Sequence, residues 1–169
     1  MIHIAIDPGV TGAIAWYDPD LAYLRTEHLP TKWKMVNKKR RQSVDEMALW
    51  KTLLPWYNPM TTLPVKWIIE EPHGMPGAGA VSQFNFGATC GALWLLMDIL
   101  STPKSAIRLN PSVWKRGMGC PSDKNRTRAL AMDVFPQHKD QFAQGRDDGR
   151  AEAALMAYYV AHRGERRTA

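Results

Sequence analysis

Cysteine is nearly missing from this 169-residue chain. Cys90 and Cys120 are too few for a disulfide framework or a thiolate zinc site, and free thiols in a reducing cytoplasm are the expectation. No run of about 18 apolar residues occurs, so no helical membrane span is expected. The first residues pass straight into Ile2-His3-Ile4-Ala5-Ile6, without a basic region and a long apolar segment, so a secretory signal is not expected either. Internal repeats, low-complexity tracts and a strong domain boundary are also lacking. Hydrophobic content of 45% and charged content of 22% fit a globular chain. One domain over residues 1–169 is expected, large enough for a hydrophobic core.

Positive charge, by contrast, is in excess: 22 Lys and Arg against 16 Asp and Glu give +6 and a pI of about 9.5. That sign favours a polyanionic partner, because Lys and Arg release counterions condensed on a phosphate backbone. The charge is clustered. Lys32, Lys34, Lys38, Lys39, Arg40 and Arg41 form one run, and Lys115, Arg116, Lys124, Arg126 and Arg128 another. The first run is expected to contact nucleic-acid backbone. The segment His162 to Arg167 reads as a solvated tail.

Residues 2–6, 11–17, 21–29, 65–70 and 106–109 read as strands, the first three joined by tight turns. The basic stretch 32–41 reads as a loop. Ser43 with Glu46 makes a capping box, which opens a helix over about 44–54. Residues 71–80 carry two prolines and three glycines and read as a loop. The apolar segment 82–100 reads as a buried helix, with its apolar face also a candidate subunit interface. A small helix starts at Pro111, Asp123 caps another running to about Phe135, and a last helix with an Ala-rich face spans about 148–162. The result is an α/β chain: a mixed five-stranded sheet flanked by helices, in the order βββ-α-β-α-β-α.

Four acids stand out against this frame. Asp7 and Glu70 each end an apolar strand, and Asp148 and Glu152 lie one helical turn apart. Phosphodiester cleavage needs an activated water, a stabilised phosphorane and a stabilised leaving oxygen, and two divalent ions about 4 Å apart supply all three. Mg²⁺ takes oxygen ligands in near-octahedral geometry, so such sites are built from Asp and Glu. Asp7 in Asp-Pro-Gly could instead shape a turn. Strand alternation turns only one of Glu70 and Glu71 inward, and Asp147 competes with Asp148 in the same way. Asp148 is either helical or the N-cap of its helix. Glu152 on an Ala-rich face needs a partner or a metal.

The chain resembles the RuvC-like Holliday junction resolvases of the RNase H-like (retroviral integrase) superfamily, especially the short bacteriophage and prophage forms. The resemblance rests on Ile4-Ala5-Ile6-Asp7-Pro8-Gly9 with Thr11-Gly12, and on Ile69-Glu70 followed by Met75-Pro76-Gly77 and Phe84-Asn85-Phe86-Gly87. Pro111-Ser112-Val113-Trp114-Lys115 and Asp148-Gly149-Arg150-Ala151-Glu152-Ala153 complete it. It implies a homodimer acting in DNA recombination and repair that cuts four-way junctions and other branched DNA with two Mg²⁺ ions per site, or Mn²⁺ in their place. Asp7, Glu70, Asp148 and Glu152 would be the metal ligands. Lys115 and Lys124 would lie near the scissile phosphate, and the host cytoplasm would be the location of a phage-encoded enzyme. Two departures matter: the final acids are four residues apart rather than three, and the loop after Glu70 lacks the family's wedge aromatic. His73, Phe84 or Phe86 could replace it, although core packing is the simpler expectation for both phenylalanines.

Other readings fit the same sequence. An RNA nuclease could use the same metal chemistry on the same fold, and a branched-DNA binding protein could lack catalysis. A phosphotransferase related to sugar kinases and actin also opens with a strand, an Asp-x-Gly turn and a second strand, but needs two such domains.

Overall fold

The run Ile2 to Ile6 is apolar at nearly every position, and such a strand is stable only where both faces of its sheet are covered. The computed structural model, which describes residues 1–36, 38–57, 64–71, 77, 79–101 and 106–162, meets that demand. In chain order its first elements are β1 (Ile2–Asp7), β2 (Ala13–Asp18), β3 (Tyr23–His28), β4 (Thr31–Val36), β5 (Lys39–Val44) and α1 (Glu46–Leu53). Then come β6 (Val65–Glu70), α2 (Ala80–Leu100), β7 (Ala106–Leu109), α3 (Pro111–Met118), α4 (Lys124–Val134) and α5 (Asp148–His162), with short 3₁₀ turns between. Five strands form one sheet in the order β3-β2-β1-β6-β7. β1, β2 and β3 make an antiparallel meander, and β6 and β7 add in parallel beside β1. The expected mixed sheet flanked by helices is therefore present.

Side-chain size divides the two faces. Ile4, Ile6, Ile14, Trp16, Trp67 and Ile69 pack against α1 and α2 through Leu49, Leu53, Leu93 and Met97. The opposite face presents Ala5, Ala13 and Ala15 to Ala151, Ala154 and Leu155 of α5. Alanine on both sides lets α5 lie close over β1 and β2, and this brings its first turns to the strand ends.

Three expectations fail. Residues 32–41 are not a loop: β4 and β5 pair as a separate antiparallel hairpin, with Lys34 opposite Arg41 and Met35 opposite Arg40. Its backbone groups satisfy one another, so a charged sequence still forms strands. The N-cap of α1 is Asp45, whose side chain accepts from the Ala48 N–H at 3.1 Å; Ser43 belongs to β5 and cannot serve. Finally, α2 is buried only along Cys90, Leu93, Met97 and Leu100, because it touches the sheet on a single narrow seam. Val81, Phe84, Leu95 and Ile99 face outward. Among the described residues no helix is long and apolar enough to cross a membrane.

Candidate metal centre

Asp7 closes β1 and Glu70 closes its parallel neighbour β6, and Ile6 stands in register with Ile69 just before them. Alternation sends Ile4, Ile6, Trp67 and Ile69 toward α1 and α2 and sends Ala5 and Ile68 toward α5. Asp7 and Glu70 share the parity of Ala5 and Ile68, so both carboxylates rise on the α5 side. Glu71 has the opposite parity, is exposed, and spends its backbone N–H on the Leu109 carbonyl at 2.9 Å.

Glu152, one turn into α5, completes a group. One oxygen from each of Asp7, Glu70 and Glu152 lies within 4.8 Å of the others. Two glycines permit this approach. A Cβ on Gly12 would fall 2.0 Å from the Asp7 carbonyl oxygen, so only glycine fits beneath the strand end. Gly149 lies directly over the same turn and lets α5 descend onto it.

Asp148 begins α5 in helical conformation rather than capping it. Its carboxylate is not in the group of three. It turns to α4, where the Arg128 guanidinium donates to Oδ1 and Lys124 Nζ lies 3.4 Å from Oδ2. Asp147 is buried and occupied elsewhere: it accepts from the Gln144 N–H at 2.8 Å and lies 3.3 Å from His28 Nε2 and 3.7 Å from Arg150 Nη1. It secures the turn that launches α5.

The surroundings hold these acids in place. Trp114, fully buried on α3, donates from Nε1 to Glu70 Oε1 at 3.0 Å. The next residue, Lys115, donates from Nζ to Glu152 Oε2 at 2.8 Å and lies 5.2 Å from the Trp114 ring centroid. Lys115 and Lys124 are thus placed among the acids. Arg116 points outward on α3, and Lys38, Lys39, Arg40 and Arg41 are exposed on the hairpin. His73 lies outside the described residues. Phe84 is 76% exposed, contrary to its expected core role, while Phe86 is half-buried beside Gly9.

The electrostatics match a cation site. Burial, then the neighbouring charges of Glu152 and Glu70, push the Asp7 carboxyl well above its ordinary value, against the pull of Lys115 and Lys124. Burial draws the Lys115 ammonium down, but the Glu152 hydrogen bond and the charges of Glu152, Glu70 and Asp7 outweigh it and raise it. Burial, then the charges of Asp7 and Glu70, push the Cys90 thiol up to about 11. An all-oxygen set whose mutual repulsion outweighs the pull of Lys115 and Lys124 on Asp7 fits a hard divalent cation such as Mg²⁺ or Mn²⁺.

Two supports of the acids, Trp114 and Arg128, carry no role that the sequence alone assigns. Trp114 was visible only as a landmark, and its bond to Glu70 depends on how α3 docks. Arg128 lies four residues after Lys124, so both fall on one face of α4, and both meet Asp148. That spacing was a usable signal.

Comparison with protein-family models gives no match, and comparison with curated proteins gives none either. Among solved structures the chain is similar to RuvC of Thermus thermophilus in complex with Holliday junction substrate. The TM-score is 0.55 at 13% identity, over 95% of each chain. A second Thermus thermophilus RuvC structure aligns with a TM-score of 0.52 at 13% identity, over 95% of this chain and 96% of that one. At this identity the likeness is one of fold, and the fold is RuvC-like.

Proposed function

We propose that this protein is a structure-selective, divalent-metal-dependent endonuclease that cuts four-way junctions and other branched DNA. The observation that carries the reading is the convergence of Asp7, Glu70 and Glu152 within 4.8 Å at one end of a RuvC-like sheet. The basic balance of the chain supports a phosphate-bearing substrate, and the neighbouring fold is known in complex with a Holliday junction.

Asp7, Glu70 and Glu152 would hold Mg²⁺ or Mn²⁺, with Asp148 at the margin of the site. Bound there, the ions would activate a water and stabilise charge on the transferring phosphate. The chain's own groups do the rest. Trp114 fixes the Glu70 carboxylate. Lys115 and Lys124 balance Glu152 and Asp148 and lie where an incoming phosphodiester needs positive charge. The reading takes residues 1–169 as one nuclease domain.

The same reading includes a homodimer. Val81, Phe84, Ala88, Gly91, Leu95 and Ile99 are exposed along one side of α2. Small residues at the middle and bulky ones at both ends suit a two-fold pairing with a second copy. Two active sites would then address two strands of one junction.

The test is cleavage of a labelled mobile four-way junction with Mg²⁺, beside linear duplex, a fork and a structured RNA. Paired symmetric cuts in the junction support the reading. Cuts spread over forks and flaps mean a general debranching enzyme, and cleavage of RNA alone or binding without cleavage overturns it.

A further inference from the structure

The β4–β5 hairpin has no place in the sheet or in the metal centre, yet its two faces differ in chemistry. Residues directly opposite in an antiparallel pair share a face. Trp33 lies opposite Gln42 and Met35 opposite Arg40, so these four are together; Lys34 lies opposite Arg41, and Lys39 shares their face. Trp33 is 57% exposed and Met35 68%. Of the seven tryptophans, Trp33 is the one with an exposed side chain. An aromatic left in water forgoes a large burial gain, which a partner would recover. The Arg40 guanidinium lies 4.8 Å from the Trp33 ring centroid and steadies the ring on one side. Among the described residues no carboxylate pairs with Lys34, Lys39 or Arg41, whereas Lys32 at the root is bound to Glu46 at 2.6 Å.

The root of the hairpin lies at the active end of the sheet. His28, the last residue of β3, pairs with Ala13, and Ala13 pairs with Asp7. Two strand spacings make about 10 Å, and six-residue strands reach about 20 Å further. The Asp45 N–H donates to the Pro30 carbonyl at 2.8 Å and closes the base, while Val44 is anchored in the core.

We propose that this hairpin is an arm for unpaired DNA: Trp33, backed by Arg40 and flanked by Met35, stacks on an exposed base, and Lys34, Lys39 and Arg41 track the phosphates. The inference rests on the nuclease reading for its substrate class. Stacking supplies affinity without reading sequence, and unpaired bases occur where branched DNA opens. Charge complementarity selects nucleic acid over a second copy of this basic chain, which would repel the same lysines.

The test uses the full-length protein in EDTA with a single-stranded oligonucleotide carrying 2-aminopurine. Wild type quenches the probe, and Trp33→Phe keeps the quench. Trp33→Leu, which preserves an apolar group on the strand, loses it and binds about 5- to 100-fold more weakly. Lys34→Gln with Arg41→Gln retains the quench at saturation but lowers the slope of log affinity against log salt by about 1.4. An undiminished quench in Trp33→Leu overturns the inference, as does equal loss in Trp33→Leu and Trp33→Phe. A change of assembly state with the quench intact would reassign the face to a second copy. Wild-type junction cleavage without any Trp33 effect leaves the nuclease reading standing and sinks this one; quenching with no cleavage of any branched DNA does the reverse.

Discussion

A Cβ on Gly149 would lie 3.0 Å from Oδ2 of Asp7 and 2.5 Å from the Thr11 carbonyl oxygen. The first turn of α5 is therefore seated against the end of β1 as closely as backbone allows. Gly149→Ala should push α5 off the turn and carry Glu152 away from Asp7. The expected cost is about 1–3 kcal/mol of stability, as for overpacking elsewhere. Metal-dependent cleavage should fall further than the melting temperature alone accounts for. Thermal unfolding measured beside single-turnover cleavage checks this.

Asp7 is held in its protonated form more strongly than in the unfolded chain, first by burial and then by Glu152 and Glu70. A raised folded pKa contributes stability that is complete below the unfolded value of about 3.8 and is lost as pH rises through the folded value. Metal-free protein should accordingly lose stability as pH climbs from the acid range toward neutrality. Asp7→Asn should flatten that decline and melt higher than wild type at neutral pH in EDTA. Mg²⁺ should raise the melting temperature of wild type and barely move the variant. Melting curves across pH, with and without Mg²⁺, read all three effects.

Lys115 couples to Glu152 by a 2.8 Å hydrogen bond and should act on charge at the phosphate rather than on affinity. Lys115→Met should lower the single-turnover rate on a junction about 100-fold, as removal of a preorganised charge-stabilising donor does. Junction binding in EDTA, spread over many basic groups, should change far less. A matched fall in both would make Lys115 a binding residue only.

The outward stripe of α2 predicts assembly. On the dimer reading, Leu95→Asp, or Phe84→Asp, should give a monomer in sedimentation whose melting temperature falls only by what pairing supplied and no longer depends on protein concentration, since both side chains are exposed in the single chain. A wild-type monomer at micromolar concentration would refute the pairing.

Much of this architecture was legible because burial and periodicity agreed. β6, β7 and α5 run between the residues that their apolar and Ala-rich patterns mark, and Asp123 caps α4 as its position suggested. The hairpin was not legible from charge, although Lys32-Trp33-Lys34-Met35 alternates with the period of a strand. The burial of α2 was overstated because an all-apolar helix does not reveal which side meets the sheet. In the site, strand parity distinguishes Glu70 from Glu71 only once the register of β6 is known. Where Asp148 turns depends on α4: the Lys124–Arg128 spacing marks the basic face of that helix but not the element it docks against.

The central claim is that this acid cluster cuts branched DNA with a divalent ion. The most direct measurement is single-turnover cleavage of a four-way junction by wild type and Asp7→Asn, each with Mg²⁺ and with EDTA, alongside junction binding in EDTA. The account predicts symmetric cuts from wild type with Mg²⁺ alone, and none from Asp7→Asn despite undiminished binding. Cleavage in EDTA, or cleavage by Asp7→Asn near the wild-type rate, would contradict it.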